Sequence, residues 1–343
     1  MKDNKKHKKA EYGILITGLI ILLAATCVIA LCAGQYSVSV PEVIKILASR
    51  FVNVTKTWSN TAEGVVFTLR LPRMIGAVLV GSALSLSGAA YQGVFKNPLV
   101  APDLLGVSSG ACVGASVAIL LHLNSFGVQA MAFVAGILAV GLTLFIPRLI
   151  KNTNMTMLVL SGIIVKGIMD SVMGIIKYVA DPETELQSIT YWQLGSLTKV
   201  LPRDLFTVGP VIIAASVIIF LLRWRINILS LGDREAKTLG VSVTVVRNFI
   251  IICATLLTAS AVCISGTIGW IGLVIPHFAR MLTGPDNTKA IPASNLIGAI
   301  FMVAIDTLAR ALTSVELPLS ILTGIIGAPF YIIILARQRM KLS

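Results

Sequence analysis

Residues 14–33 read ILITGLIILLAATCVIALCA, from Ile14 to Ala33, with no charged side chain at any position. At 1.5 Å of rise per residue a helix of that length covers about 30 Å, the hydrocarbon thickness of a bilayer. Similar apolar blocks recur along the chain, separated by short polar breaks. The whole is 56% hydrophobic and 13% charged, with a mean hydropathy of +0.90. A soluble chain of 343 residues would instead scatter its apolar residues at helix or strand period around two or so cores. Membrane is therefore the solvent. The Lys-rich head before Ile14 resembles a signal peptide, but no small-x-small cleavage site follows it, and Leu31 spoils a lipoprotein reading at Cys32, so the block is read as a retained span.

Reading blocks against breaks predicts about ten helices, near 13–33, 72–92, 106–121, 127–147, 155–178, 205–222, 244–266, 271–283, 291–310 and 318–336, the 271–283 segment being too short to span alone. With the N-terminus inside, eighteen Lys and Arg fall on inner segments and nine on outer ones, and only Lys166 of the 28 lies deep in a helix. That bias predicts a multi-pass protein with both termini cytoplasmic. The expected organisation is a basic tail over 1–12, one transmembrane domain over 13–337 and a short tail over 338–343. Two segments outside the apolar layer are long enough to do work: 34–71 outside and 223–243 inside.

The net charge of +13 does not indicate nucleic acid, because the basic residues end apolar blocks and do not form a face interleaved with aromatics. Cys27, Cys32, Cys112, Cys253 and Cys263 sit in apolar stretches without metal-ligand spacing and read as packing residues. No phosphate-binding G-x-x-x-x-G-K-[ST] loop, H-E-x-x-H or G-x-S-x-G is present. The reading is therefore of a non-catalytic chain without cofactor or metal, dependent on an external source of energy.

The stretch Ser82-Ala83-Leu84-Ser85-Leu86-Ser87-Gly88 returns as Ser260-Ala261-Val262-Cys263-Ile264-Ser265-Gly266, 178 residues later. At the same offset Pro98 matches Pro276 and Gly106 matches Gly284. Five predicted spans separate the copies, so they run in opposite directions, which is the inverted-repeat plan of many transporters. Pro98 and Pro276 are each expected to break a helix. Within the spans the charges Lys166 and Asp170, and Asp306 and Arg310, stand at i,i+4 spacing and read as intrahelical pairs.

Several motifs then form a set: Leu69-Arg70-Leu71-Pro72-Arg73, Asn97-Pro98-Leu99, Leu105-Gly106-Val107-Ser108-Ser109-Gly110, Leu231-Gly232-Asp233 with Ala236 and Leu239-Gly240, Gly269-Trp270-Ile271-Gly272-Leu273-Val274-Ile275-Pro276-His277, Glu316-Leu317-Pro318 and Gly327-Ala328-Pro329-Phe330. With these the chain resembles the FecCD family of ABC permeases, importers of ferric siderophores, haem and cobalamin, over nearly everything from Leu69 to Leu335. It departs from that family at Thr267, where Pro is usual, at Asn287, where His is usual, and at Ser320, where Gly is usual.

The resemblance implies an all-α type II importer permease that pairs with a second permease subunit, as homodimer or heterodimer. It also implies two cytoplasmic ATPase subunits and an extracytoplasmic substrate-binding protein, in a bacterial or archaeal cytoplasmic membrane. It assigns docking of the binding protein to Arg70, Arg73 and Arg310. Coupling to the ATPase falls to 229–241, with Leu231, Gly232, Asp233, Arg234, Glu235, Ala236, Leu239 and Gly240, and the inner gate to Asn97 and Leu99. Lys166 and Asp170 are expected on the translocation path, with Lys166 suiting an anionic ferric chelate. An ion-gradient-driven secondary transporter also fits ten spans and an inverted repeat, but the spans hold few acids for an ion relay.

Overall fold

The helices of the computed structural model follow the apolar blocks, and their ends follow the caps and glycines between them. It describes residues 2–152, 154–313 and 315–340. Met1 and, of the expected tail 338–343, residues 341–343 lie outside the described residues. The order is α1 (Lys2–Cys32), α2 (Val40–Ala48), α3 (Asn60–Gly64), a π turn (Val65–Arg70), α4 (Leu71–Phe95), a 3-10 turn (Pro102–Leu105), α5 (Val107–Leu120), α6 (Ser125–Leu149) and α7 (Met155–Val179). Then come α8 (Glu185–Leu194), α9 (Pro202–Leu231), α10 (Asp233–Thr238), α11 (Val243–Ser265), α12 (Ile271–Thr283), α13 (Asn287–Ala311) and α14 (Leu319–Met340). Among the described residues seven helices are long and apolar enough to cross a membrane, and α5, α12 and the Leu319–Ile333 part of α14 are shorter apolar helices. All ten expected segments are therefore helical.

Polar side chains start several of these helices. Ser59, Asn124, Asn154 and Asp286 each accept from the backbone N–H of a residue in the first turn that follows, which satisfies a donor the helix itself leaves unpaired. Two boundaries differ from expectation. The basic 1–12 segment is helical from Lys2 and continuous with the first span. The sixth span, expected to end at 222, runs on to Leu231, where Gly232 at φ 145 stops it. Its extension keeps Ile226 and Leu229 fully buried. Asn227 locks it to the start of α13, its Nδ2 donating to Asp286 Oδ1 (2.6 Å) and its Oδ1 accepting from Asn287 N (2.7 Å). Arg223 and Arg225 thus mark where the helix leaves the apolar block, not where it ends.

α4 is the central helix and packs against α9, α11, α12 and α13. In the span containing α4 the most apolar window is 72% buried and in α11 78%, against 11% in α1, 33% in α6 and 28% in α7 and α9. The first two form the interior and the others the perimeter. Small residues permit this crowding: a Cβ on Gly81 would overlap the Gly298 carbonyl, and one on Gly88 the Gly272 carbonyl.

The two repeat copies lie side by side and antiparallel. Thr258 Oγ1 donates to Ser87 Oγ (3.1 Å), and the Tyr91 and Thr255 hydroxyls meet at 3.0 Å, so the partner number falls as the α4 number rises. The prolines are not equivalent. Pro98 lies in the non-helical stretch after α4, but Pro276 sits inside α12 without ending it, which corrects the expectation of two breaks. A helical proline removes the donor to the carbonyl four residues back, here Gly272. Gln92 of α4 supplies a replacement: its Nε2 approaches Gly272 O (3.4 Å), Leu273 O (3.2 Å) and Val100 O (3.2 Å).

Candidate functional site

Three groups of charged or polar residues stand where a transporter would use them: one at each end of the bundle and one midway along α7. At one end the structure brings Arg70, Arg73 and Arg310 together from three segments. Arg73, in the first turn of α4, reaches across to α13, where its Nε contacts Asp306 Oδ1 (2.9 Å) and Oδ2 (3.0 Å) and its Nη2 contacts Oδ1 (2.9 Å). Its Nη1 holds Glu316 Oε1 (2.8 Å), while Glu316 Oε2 accepts from Thr198 Oγ1 (2.8 Å). Arg70 donates to Leu31 O (2.7 Å), Cys32 O (3.0 Å) and Tyr36 O, and Arg310 to Ala33 O (3.0 Å) and Ala30 O. The last turn of α1 contains no basic residue of its own, so two arginines from elsewhere cap its final carbonyls.

These contacts hold all three arginines and Asp306 in place. The three guanidinium groups are not free charges on a surface: Arg70 is 6% exposed and Arg73 8%, and Arg310 is turned onto α1. Asp306 keeps the expected ion pair with Arg310 one turn on, at 3.9 Å, but its closer partner is Arg73, 233 residues away in sequence. Glu316, outside the spans, is the half-open edge of the network. Burial would raise its carboxyl, but hydrogen bonds from Arg73 and Thr198 outweigh that and hold it below its ordinary value.

Midway along α7, Lys166 Nζ bonds Asp103 Oδ2 (3.1 Å) and not Asp170, which overturns the expected i,i+4 pair. Gly162 lets the 3-10 turn press its Leu104 carbonyl against α7, and that approach delivers Asp103 to Lys166. Asp170 is exposed and makes no ion pair or hydrogen bond with a described residue. Both members of the pair are partly exposed, at 49% and 35%, so this face of α7 presents charge at mid-span. Sequence reasoning passed over Asp103. The available signal was that it is the only carboxylate between Glu63 and Asp170.

At the other end Phe95 gives way to Lys96 in the left-handed region (φ 53) and to an Asn turn, in which Asn97 Oδ1 accepts from Leu99 N (2.9 Å) and leaves Leu99 59% exposed. Asp233, at the start of α10, contacts Lys96 Nζ (3.7 Å) and Arg247 Nη2 (2.6 Å). The expected gate residues and the expected coupling segment are thus neighbours through Lys96. Within that segment Leu231, Arg234, Glu235, Lys237, Leu239 and Gly240 are exposed, but Ala236 is fully buried in the main core. Ala236 therefore anchors α10 and is not presented, and only one short helix occupies 229–241 after α9 ends. Of the family departures, Thr267 Oγ1 donates to Gln193 O, whereas the Asn287 side-chain oxygen is buried without a hydrogen-bond partner among the described residues.

Comparison with known proteins agrees over nearly the full length. The chain matches the FecCD transport family across residues 21–337. It is 37% identical over 322 residues to the molybdate import system permease protein MolB of Haemophilus influenzae, covering 94% of this chain and 95% of that one. It is 40% identical over 275 residues to an iron chelatin transport system permease protein of Helicobacter pylori, covering 80% and 83%. A solved inward-facing metal-chelate type ABC transporter superposes with a TM-score of 0.85 at 35% identity, over 95% of this chain and 99% of that one. An all-helical bundle built on an inverted repeat and matched from end to end in this way belongs to the FecCD transport family, as a multi-pass membrane permease of an ABC importer.

Proposed function

We propose that this chain carries a metal chelate, in first place a ferric siderophore, across the cytoplasmic membrane with both termini inside. Haem and cobalamin are the neighbouring choices. It works with a second permease subunit, two ATPase subunits and an extracytoplasmic binding protein, and ATP is hydrolysed on the ATPases. The end-to-end match to a metal-chelate type transporter carries the reading. The partly exposed Lys166, Asp103 and Asp170 at mid-span support it, since charge at that depth is tolerated against water or a partner and not against lipid.

In this reading the α10 end receives the ATPase. Leu231, Arg234, Glu235, Lys237 and Leu239 offer the contact, Gly232 and Gly240 let the short helix turn, and Asp233 passes its displacement to Lys96 beside Asn97 and Leu99, which close the inner end of the path. The binding protein docks at the opposite end over the Glu316 edge, where an incoming carboxylate replaces Glu316 on Arg73 Nη1 and leaves the Asp306 contact in place. Arg70 and Arg310 hold the rim in shape from beneath.

The test is uptake into liposomes carrying this permease with its ATPase and binding protein. ATP-dependent entry of a ferric siderophore, unaffected by collapse of proton and sodium gradients, is the expected result. Uptake driven by an ion gradient without ATP would establish the secondary-transporter alternative, and ATP-dependent uptake of molybdate alone would replace the chelate.

A further inference from the structure

Between the end of α6, the start of α7 and the start of α11 lies a cleft of about 150 Å³, at the same end of the bundle as α10. Arg148, Asn154, Thr244, Arg247 and Asn248 give it a polar wall, Leu144 and Leu158 an apolar floor, and no lining residue is acidic. Arg148 makes no ion pair or hydrogen bond with a described residue. Arg247 spends one amino group on Asp233 (2.6 Å), yet its Nε is buried without a hydrogen-bond partner. Two helix starts, α7 and α11, meet one helix end, α6, at this cleft, and α11 has no side-chain cap. The Arg148 guanidinium, the unsatisfied Nε of Arg247 and the uncapped start of α11 make the cleft positive, Asp233 offsetting the rest of the Arg247 charge.

From these features we infer that the cleft is a binding site for a phosphate-bearing anion, and that its occupant is the headgroup of an anionic phospholipid. A free phosphate would satisfy the arginines equally, but the surroundings favour a lipid. Phe145 and Leu149 of α6 and Val245 and Phe249 of α11 flank the cleft and are all exposed, giving acyl chains an apolar track that a soluble ion does not need. Basic pockets between spans at the membrane surface recognise lipid headgroups by this combination of fixed charge above and apolar surface below. Because Arg247 also holds Asp233, an occupant of the cleft touches the residue that links α10 to Lys96. Lipid bound here stiffens the coupling end through Arg247. Which leaflet supplies the lipid rests on the proposed orientation, whereas binding in detergent does not, so the two fail separately.

Native mass spectrometry of the full chain in non-ionic detergent, titrated with phosphatidylglycerol, phosphatidylcholine or inorganic phosphate, tests the site. The first phosphatidylglycerol should bind about five-fold more tightly than phosphatidylcholine, as expected for one basic residue at the headgroup. Arg148→Gln should erase that preference and Arg148→Lys should largely keep it. Lys151→Gln, which removes a nearby charge outside the cleft, should leave it intact. A preference that survives Arg148→Gln, or that Lys151→Gln lowers equally, would overturn the site. Inorganic phosphate that competes away the lipid preference at equal concentration would overturn the lipid assignment.

Discussion

The two ends of the bundle handle charge in opposite ways. At the arginine end Asp306 and Arg73 have side chains 4% and 10% exposed, and the short contacts span separate segments: α4 to α13, α4 to Glu316, and the π turn and α13 to the end of α1. At the α10 end Asp233 is 52% exposed and Lys96 37%, their contact is 3.7 Å, and Lys96, Gly232 and Gly240 all have positive φ. Buried charges held by several partners resist displacement, because losing one partner strands another in a medium that solvates it poorly. Exposed pairs form and break with little change in free energy. The contrast assigns rigidity to one end and freedom to move to the other.

The largest expected effect is at the rigid end. Arg73→Leu leaves Asp306 buried without its main partner and should destabilise the folded protein by about 3–5 kcal/mol, read as lost thermal stability in detergent. A loss below about 1 kcal/mol would show the network to be as loose as the surface pairs opposite it.

Next comes pH. The Glu316 carboxyl is held below its ordinary value of 4.5 in the fold. Its contribution is therefore present above the unfolded value and lost as pH falls through the folded one. With Glu316 half open to solvent, wild type should exceed Glu316→Gln by about 1 kcal/mol at neutral pH. The gap should stay constant down to the ordinary carboxylate range and close only below it. A gap that closes nearer neutrality would place the carboxyl above its ordinary value.

Lys166→Ala and Asp103→Asn should each lower stability by less than about 1 kcal/mol, since both groups are partly exposed, while changing uptake per folded molecule. Asp170→Asn should leave stability unchanged. Equal loss of folded protein in all three variants would return Asp170 to the pair. Asp233→Asn should change stability by no more than about 0.5 kcal/mol. In the assembled importer it should nonetheless raise ATP hydrolysis relative to uptake, and an unchanged ratio would remove Asp233 from the link to the gate.

Most of the helical plan was legible in the sequence because blocks of apolar residues state their own length, and the repeat was legible because Ser82–Gly88 and Ser260–Gly266 share a pattern of small residues. The pairing of charges was not. Spacing along one helix suggested Lys166 with Asp170 and Asp306 with Arg310, whereas the closer partners are Asp103 and Arg73 on other elements. Nothing local announces a contact across 63 or 233 residues. The burial of Ala236 was not legible for a related reason: its neighbours Glu235 and Lys237 are exposed, and a helix of six residues is too short for a polar context to reveal which face is covered.

Gln92 makes the two halves of the duplicated architecture unequal. The position 178 residues on from Gln92 is Trp270, so the amide that compensates Pro276 in the second half has no counterpart returning the service to the first. Here the second half carries a proline within a helix that is tolerable because the first half supplies a donor. The second half therefore depends on the first for the donors at the proline turn of α12. Split at the 232–242 segment, the two pieces should assemble only when made together, and α12 in the isolated second piece should lack the hydrogen bonds that Gln92 gives it.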